Sequence, residues 1–376
     1  MKSIFATMLL MLLGFTLVTA QQTVTIKGTV KGDLKGHTRI YVYGKGVKID
    51  TAFIKNGSFE MTLPFTKPFS PLFYDEYDVK VKQAISPFPI IIDQPGTVYL
   101  NDIDIEKGLY SGKISGIKSA VDFQSYNDGQ EQIFKEIRGL LQKKYGDSVK
   151  PESSNYNAYM SDMDSMSTAK GVELVKSFVK LNPDTYTSTY ILNGMKSSIG
   201  IEDLEKLYAL LSKKTKESEN GKAIGDYIGG VKKSGIGQTV ADFTLNDAND
   251  QPLNFGQMKG KYVIIDFWAS WCGPCKASFP HMKELYSKYK DDRFEIYSIS
   301  IDQSKSEWLK ELKKQELPWL QTLDTKKIST TQFAVTAVPT TFMIDPQGKI
   351  ILKEVGLDPS GKGPLDKKLV ELFGTK

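Results

Sequence analysis

The feature that most restricts the fold is the junction at Trp271-Cys272-Gly273-Pro274-Cys275, where an apolar run from Tyr262 to Trp268 gives way to helical spacing from Gly273 to Lys290. An unbroken apolar run of that length bounded by turn residues reads as a strand buried on both faces, and such a strand needs helices on both sides of its sheet. The following residues supply them. Phe294 to Ile301 reads as a strand, Lys305 to Lys314 as a helix, Thr340 to Asp345 and Lys349 to Lys353 as strands joined at Pro346-Gln347-Gly348, and Pro364 to Phe373 as a closing helix. A βαβ unit followed by a hairpin predicts a C-terminal α/β domain with a helix-covered central sheet.

The same junction carries the chemistry. Cys272 and Cys275 are the only two cysteines of the 376 residues, so no disulfide framework competes for them and the pair is free for exchange. Cys272 stands at a helix start, where unpaired amides and the helix dipole favour an anion, here a thiolate. Cys275 lies about one turn on, within disulfide reach. Attack by Cys272 on a substrate disulfide would give a mixed disulfide that Cys275 resolves. A structural zinc needs about four ligands, and only His37 and His281 could join the pair. No metal is expected, and no cofactor beyond the redox-active disulfide. His281 reads as a surface or packing residue.

A chain of this length exceeds the roughly 250–300 residues at which single cores stop growing. Residues 1–20, with Lys2, an apolar run from Met8 to Val18, and Val18-Thr19-Ala20, read as a secretory signal peptide cut after Ala20. The run is shorter than the roughly 20 apolar residues of a membrane span, so the mature chain is expected to be exported to the periplasm or cell envelope as a soluble protein. Residues 21–118 alternate in short runs, with Asn56-Gly57 as a hairpin signal and strands placed near 78–82, 89–92 and 97–100; they predict an antiparallel, sandwich-like β domain. Residues 119–235 switch to a helical period, for example Ile133, Ile137, Leu140 and Leu141 on one face. Residues 236–376 form the last unit, the overall reading being a multidomain chain. Its 49 basic and 44 acidic residues nearly balance and the lysines are scattered, which argues against nucleic acid as a partner.

The run from Val263 to Lys276, Pro280 five residues after the second cysteine, and Val338-Pro339-Thr340 downstream resemble the thioredoxin superfamily. Val240 to Leu245, with Leu253-Asn254 and Gly260-Lys261, is similar to the extra N-terminal hairpin of exported TlpA/ResA-type proteins. The resemblance covers about Ile236 to Phe373 and implies a thioredoxin-like fold. It implies a thiol–disulfide oxidoreductase, with Cys272 as nucleophile, Cys275 as resolving thiol and Asp266 as the acid that takes and returns the proton of Cys275. It also implies a cis Pro339, a kink at Pro280, and client binding along Trp271, Gly273, Pro274, Val338 and Pro339. Ser298 stands where thioredoxin has the lysine that accompanies this acid. Members that reduce apocytochrome thiols often carry Glu at the position of Ser278 and Asn at that of Asp266, so this chain departs from them. Implied partners are protein disulfide clients and a membrane thiol-transfer reductant of the DsbD kind. Two alternatives stay open. One is a thiol peroxidase of the peroxiredoxin type, although Asp266 to Trp271 lacks the Pro which that family places before its cysteine. The other is a binding module with a secondary redox pair, its front half serving docking or homodimerisation.

Overall fold

Strict alternation builds the front of the chain. The computed structural model describes residues 21–44, 47–147, 149–291, 293–356, 358 and 362–374; the expected signal peptide lies outside them. Strands β1 (Thr23–Lys31), β2 (Arg39–Tyr43), β3 (Asp50–Phe53), β4 (Ser58–Pro64) and β5 (Leu72–Asp75) precede helix α1 (Glu76–Lys80), and β6 (Phe88–Pro89), β7 (Gly96–Asp104) and β8 (Lys113–Gly116) follow it. They form two sheets, ordered β4-β1-β7-β8 and β3-β2-β5-β6. In β4 the residues Phe59, Met61 and Leu63 are buried while their neighbours are exposed, and they join Val24, Ile26, Ile40, Val42 and Val98 in one core. At the β3–β4 turn Asn56 and Gly57 both take positive φ, 51° and 72°, as a tight hairpin requires.

Two expectations for this region are corrected. The β domain is not wholly antiparallel, because β1 and β7 pair in parallel: the whole second sheet lies between them in sequence, and the chain returns to β1 by a crossover rather than a hairpin. Residues near 78–82 are not a strand. The Asp75 carboxylate accepts the Asp78 N–H at 2.7 Å and caps α1, with Glu76 and Asp78 in the first turn, so local capping outweighs the short alternation.

Six helices follow among the described residues: α2 (Lys118–Tyr145), α3 (Tyr156–Leu181), α4 (Tyr186–Met195), α5 (Ile201–Leu210), α6 (Lys213–Lys216) and α7 (Glu219–Lys233). Thr185, Ser212 and Ser218 accept first-turn N–H groups at the starts of α4, α6 and α7. The chain divides into two compact units within α2, one ending at Gly129 and the other running from Gln130.

In the second unit the helices lead into β9 (Thr244–Asp247), β10 (Pro252–Asn254), β11 (Tyr262–Trp268), α8 (Gly273–Tyr289), β12 (Phe294–Ser300), α9 (Lys305–Gln315), β13 (Leu320–Leu323), α10 (Ile328–Thr331), β14 (Thr340–Ile344), β15 (Ile350–Val355) and α11 (Pro364–Phe373). The strands form one sheet in the order β10-β9-β13-β12-β11-β14-β15. β11 lies inside it, parallel to β12 and antiparallel to β14. Alternate residues of β11 serve two cores: Val263, Ile265 and Phe267 pack with Phe243, Phe255 and Phe333, whereas Ile264 packs with Met282, Leu285 and Tyr286 of α8 and Leu365 and Leu369 of α11. Strand β13 is too short to show in the pattern of Leu320 to Leu323; its place is set by pairing with β12.

Helix α7 docks on this domain at a glycine. A Cβ at Gly230 would run into the Thr330 carbonyl oxygen and come within 2.9 Å of the Ala334 nitrogen, both backbone atoms that cannot swing aside. The Ser234 hydroxyl just beyond the helix donates to the Phe333 carbonyl at 3.1 Å. Gly230→Ala is therefore expected to lower stability by about 1–3 kcal/mol. Gly229→Ala, which meets open space, should be neutral or stabilise by up to about 1 kcal/mol through helix propensity; urea unfolding of the pair distinguishes docking from propensity.

Candidate active site

Strand β11 delivers the chain to the site. From Val263 to Trp268 every residue is buried, so the end of the strand is held by packing on both faces. Beyond it the backbone turns, with the Cys272 N–H donating to the Ala269 carbonyl at 3.0 Å. The turn is tied from the neighbouring strand. Asp302, just past β12, accepts the Ser270 N–H at 2.9 Å and the Ser270 hydroxyl at 2.7 Å, and the Ser300 hydroxyl at 2.6 Å. From the helix side the Lys276 ammonium donates to the Ser270 carbonyl at 3.1 Å.

Cys272 is the N-cap of α8. Its backbone is extended, and its Sγ accepts the Cys275 N–H at 3.1 Å. A sulfur here takes the place usually filled by a Ser or Asp oxygen, and negative charge on it meets the helix dipole as well as that N–H. Pro274 falls in the first turn, where a missing N–H costs no helical bond. Pro280, deeper in α8, leaves the Lys276 carbonyl without its helical donor.

The two sulfurs are bonded to each other, with Cα atoms 5.3 Å apart. Cys272 Sγ lies 3.6 Å from the Val338 carbonyl oxygen, and the Val338–Pro339 peptide is cis. Cys275 is the deeper residue, 1% exposed, packed with Trp268, Phe279 and Trp308. Trp271 is 67% exposed, and Gly273 and Pro274 are exposed beside it. The structure thus gathers Cys272, Cys275 and Val338-Pro339 at one end of β11, with Trp271, Gly273 and Pro274 on the rim. Ser278 is buried and donates its hydroxyl to the Cys275 carbonyl at 2.8 Å. His281 is a packing residue: its Nε2 lies 2.8 Å from Asp366 Oδ1, joining α8 to α11.

Asp266 sits beneath, on the β11 face shared with Ile264 and Trp268. Ile264 packs under Met282 and Leu285, Trp268 against Phe279 of the same helix at 5.2 Å between ring centres, so Asp266 lies between them under α8. Strand register sets it beside Ser298 of β12 and Thr341 of β14, and Ser298 beside Gln321 of β13. All four are buried, and they form a polar row across an otherwise apolar layer. Burial pushes the Asp266 carboxyl up from 3.8 to about 6, while the Ser298 hydroxyl, donating to Oδ2 at 2.9 Å, pulls it back down.

Sequence reasoning missed Asp302, Ser270 and Lys276 as anchors of the turn. The available signal was the position of Asp302 at the end of a strand parallel to β11, where α/β sheets carry their working residues. It also missed Trp319, because the strand next to it was not recognised.

Residues 236–353 match the AhpC/TSA family model. Over 127 residues the chain is 34% identical to the thiol-disulfide oxidoreductase ResA of Bacillus cereus, an alignment covering 33% of this chain and 72% of that protein. Over 115 residues it is 33% identical to the thiol-disulfide oxidoreductase ResA of Bacillus subtilis, covering 31% of this chain and 64% of that protein. The solved thioredoxin domain of a thiol-disulfide oxidoreductase from Bacteroides vulgatus aligns at 28% identity and a TM-score of 0.33, covering 38% of this chain and 99% of that one.

Because folding raises the Asp266 value, the native state holds a proton that the unfolded chain releases between about pH 4 and pH 6, and stability contributed by the neutral acid is lost as pH rises through about 6. Asp266→Asn should therefore be more stable than the parent above pH 6, by up to roughly 3 kcal/mol, and equally stable below about pH 4. Urea midpoints for both proteins across pH 3.5 to 8 check this, and a difference that ignores pH would count against the buried-acid account.

Proposed function

Since this chain belongs to the ResA-like thiol–disulfide oxidoreductases of the thioredoxin superfamily, we propose that it works through a Cys272/Cys275 dithiol that reduces or isomerises disulfides of exported proteins. The observation that carries the reading is the Cys275 N–H aimed at Cys272 Sγ on the first turn of α8. In the dithiol form, Cys272 is the sulfur whose charge that N–H and the helix start favour. It attacks a client disulfide, one client sulfur leaves as thiolate, and the other is held on Cys272. Asp266, as carboxylate, takes the proton of Cys275. The resulting Cys275 thiolate attacks Cys272 Sγ, closes the Cys272–Cys275 disulfide and releases the second client sulfur. Two electrons pass to the client, and the proton on Asp266 is returned to the departing thiolate or to water.

Trp271, Gly273 and Pro274 on the rim and Val338-Pro339 opposite form the client-binding surface in this reading. The proximity of Cys272 Sγ to the Val338 carbonyl supports it, since an extended client segment pairing there would bring its sulfur to Cys272. Peroxidase chemistry of the peroxiredoxin type is less well supported: the relatives are named as thiol-disulfide oxidoreductases, and both cysteines are used in one internal disulfide.

Export and work in the periplasm or cell envelope rest on the pattern of residues 1–20; no helix among the described residues is long and apolar enough to cross a membrane. A protein that reduces disulfides in an oxidising compartment has to be recharged, and a membrane thiol-transfer reductant of the DsbD kind is the proposed donor. Homodimerisation through the front half is proposed from Phe134, Leu140 and Met160, which lie exposed on α2 and α3. No further cofactor enters the mechanism.

Two measurements test this. Cys275→Ser incubated with a disulfide client should accumulate a mixed disulfide on Cys272, whereas Cys272→Ser should trap nothing; trapping by Cys272→Ser alone would reverse the assigned roles, and equal trapping by both would abolish the division between them. The reduction potential of the pair should lie near the thioredoxin value of about −270 mV, and a value above about −150 mV would make the protein an oxidant instead.

A further inference from the structure

A proton carried by Asp266 must enter through one of two oxygens, and one of them is already engaged. The Ser298 hydroxyl donates to Oδ2 at 2.9 Å, and Trp319 Nε1 donates to the same Ser298 Oγ at 2.8 Å. An indole N–H can only donate, and a serine hydroxyl has a single proton. Ser298 therefore accepts from Trp319, and its one proton is committed to Asp266. The direction of the chain follows from the donor inventory alone.

From this geometry we infer that Ser298 and Trp319 are positioning residues for the resolving step: their donor chain fixes the rotation of the Asp266 carboxyl and leaves Oδ1 as the atom that exchanges a proton with Cys275. The inference rests on the reading of Asp266 as proton acceptor given above. Each member is held independently of the others. Ser298 is fixed beside Asp266 by strand register and is fully buried, and Trp319 is 5% exposed. Its ring lies edge-on to Tyr286 of α8 at 5.5 Å, and the Tyr286 hydroxyl is itself engaged, donating to Glu295 at 2.9 Å. Reorienting the Ser298 hydroxyl would strand either the indole N–H or the carboxylate in an apolar layer, so the chain has one arrangement.

The step balances on these atoms. The Cys275 thiol proton passes to Asp266 Oδ1, the Cys275 sulfur forms its bond to Cys272 Sγ as the bond from Cys272 to the client sulfur breaks, and the proton then leaves Oδ1 for the released thiolate or water. In strand register the side chains beside Asp266 are Ser298 from β12 and Thr341 from β14, with Gln321 of β13 one strand further along the same row. From the packing elements the titratable groups are Cys275 and Tyr286 of α8, the His281–Asp366 pair between α8 and α11, and Glu354 of β15, which stands beside Thr341 in the same row and whose carboxyl is raised by burial. Ser298 donates to the carboxyl and favours its ionised form.

The test uses the full chain with Ser298→Ala, Trp319→Phe and Ser298→Thr. It reads the Asp266 titration by carboxyl carbon chemical shift, and the pH profile for resolution of a mixed disulfide formed with a small model disulfide. Loss of the hydroxyl in Ser298→Ala is expected to move both the Asp266 midpoint and the acidic limb of the resolving rate to higher pH, by about one unit. Trp319→Phe should move both the same way by less, and Ser298→Thr, which keeps the donor, should restore the parental profile. Unmoved midpoints in Ser298→Ala and Trp319→Phe, with native near-ultraviolet dichroism, would overturn the inference; so would a shifted midpoint with a resolving limb that stays in place. If Ser298→Ala does not fold, Trp319→Phe decides. A failure of the acceptor role itself is distinguishable, because Asp266→Asn would then keep the parental limb.

Discussion

The site depends on one contact, the Cys275 N–H directed at Cys272 Sγ. It exists because a helix starts at Cys272, and the helix starts there because a strand buried on both faces ends a few residues before it. The intervening turn has little freedom: Asp302 holds it from the side of β12 and Lys276 from α8. Moving the turn by one hydrogen bond would take the sulfur off the helix axis and remove the electrostatic preference for charge on Cys272. In the proposed mechanism, preorganisation of this kind makes the choice of nucleophile a property of the backbone.

Depth separates the two sulfurs further. Cys272 is 4% exposed and lies beside the Val338 carbonyl, whereas Cys275 is 1% exposed in the cluster of Trp268, Phe279 and Trp308. A buried thiol is a poor nucleophile until it loses its proton. In the proposed mechanism Asp266 answers that need, burial having raised its carboxyl to about 6. The polar row from Gln321 to Thr341 shows how the sheet accommodates such a group: neighbouring strands place small hydroxyl and amide side chains in register with it, and Ser298 supplies the donor.

The helical segment is more than a spacer in the second unit. Through Gly230 and Ser234 its last helix abuts α10 and the chain leading to Val335, and that chain continues to Val338 and Pro339. Packing of α7 therefore bears on the loop that faces Cys272. In the first unit, the parallel pairing of β1 with β7 joins the strands around a separate apolar core.

Local pattern in the sequence was enough for the cysteine pair, the helix start that carries it, the β11 strand, the Asn56-Gly57 hairpin and the succession β11, α8, β12 and α9 around the motif, because each depends on residues close together in the chain. It also placed Asp266 on the face of β11 that carries Trp268. Sheet order, the parallel β1–β7 pair, the short strand β13, and the capped turn of α1 in place of a strand were decided by the tertiary structure, since pairing between distant segments leaves little trace in local periodicity. The same holds for the finer parts of the site. Asp302 reaches Ser270 across 32 residues of chain, and Trp319 reaches Ser298 across 21, so both became visible only when neighbouring strands were set in register. Sequence determined which two sulfurs pair; the folded sheet decided which groups surround them, because a hydrogen bond is fixed by distance and direction in space rather than by separation along the chain.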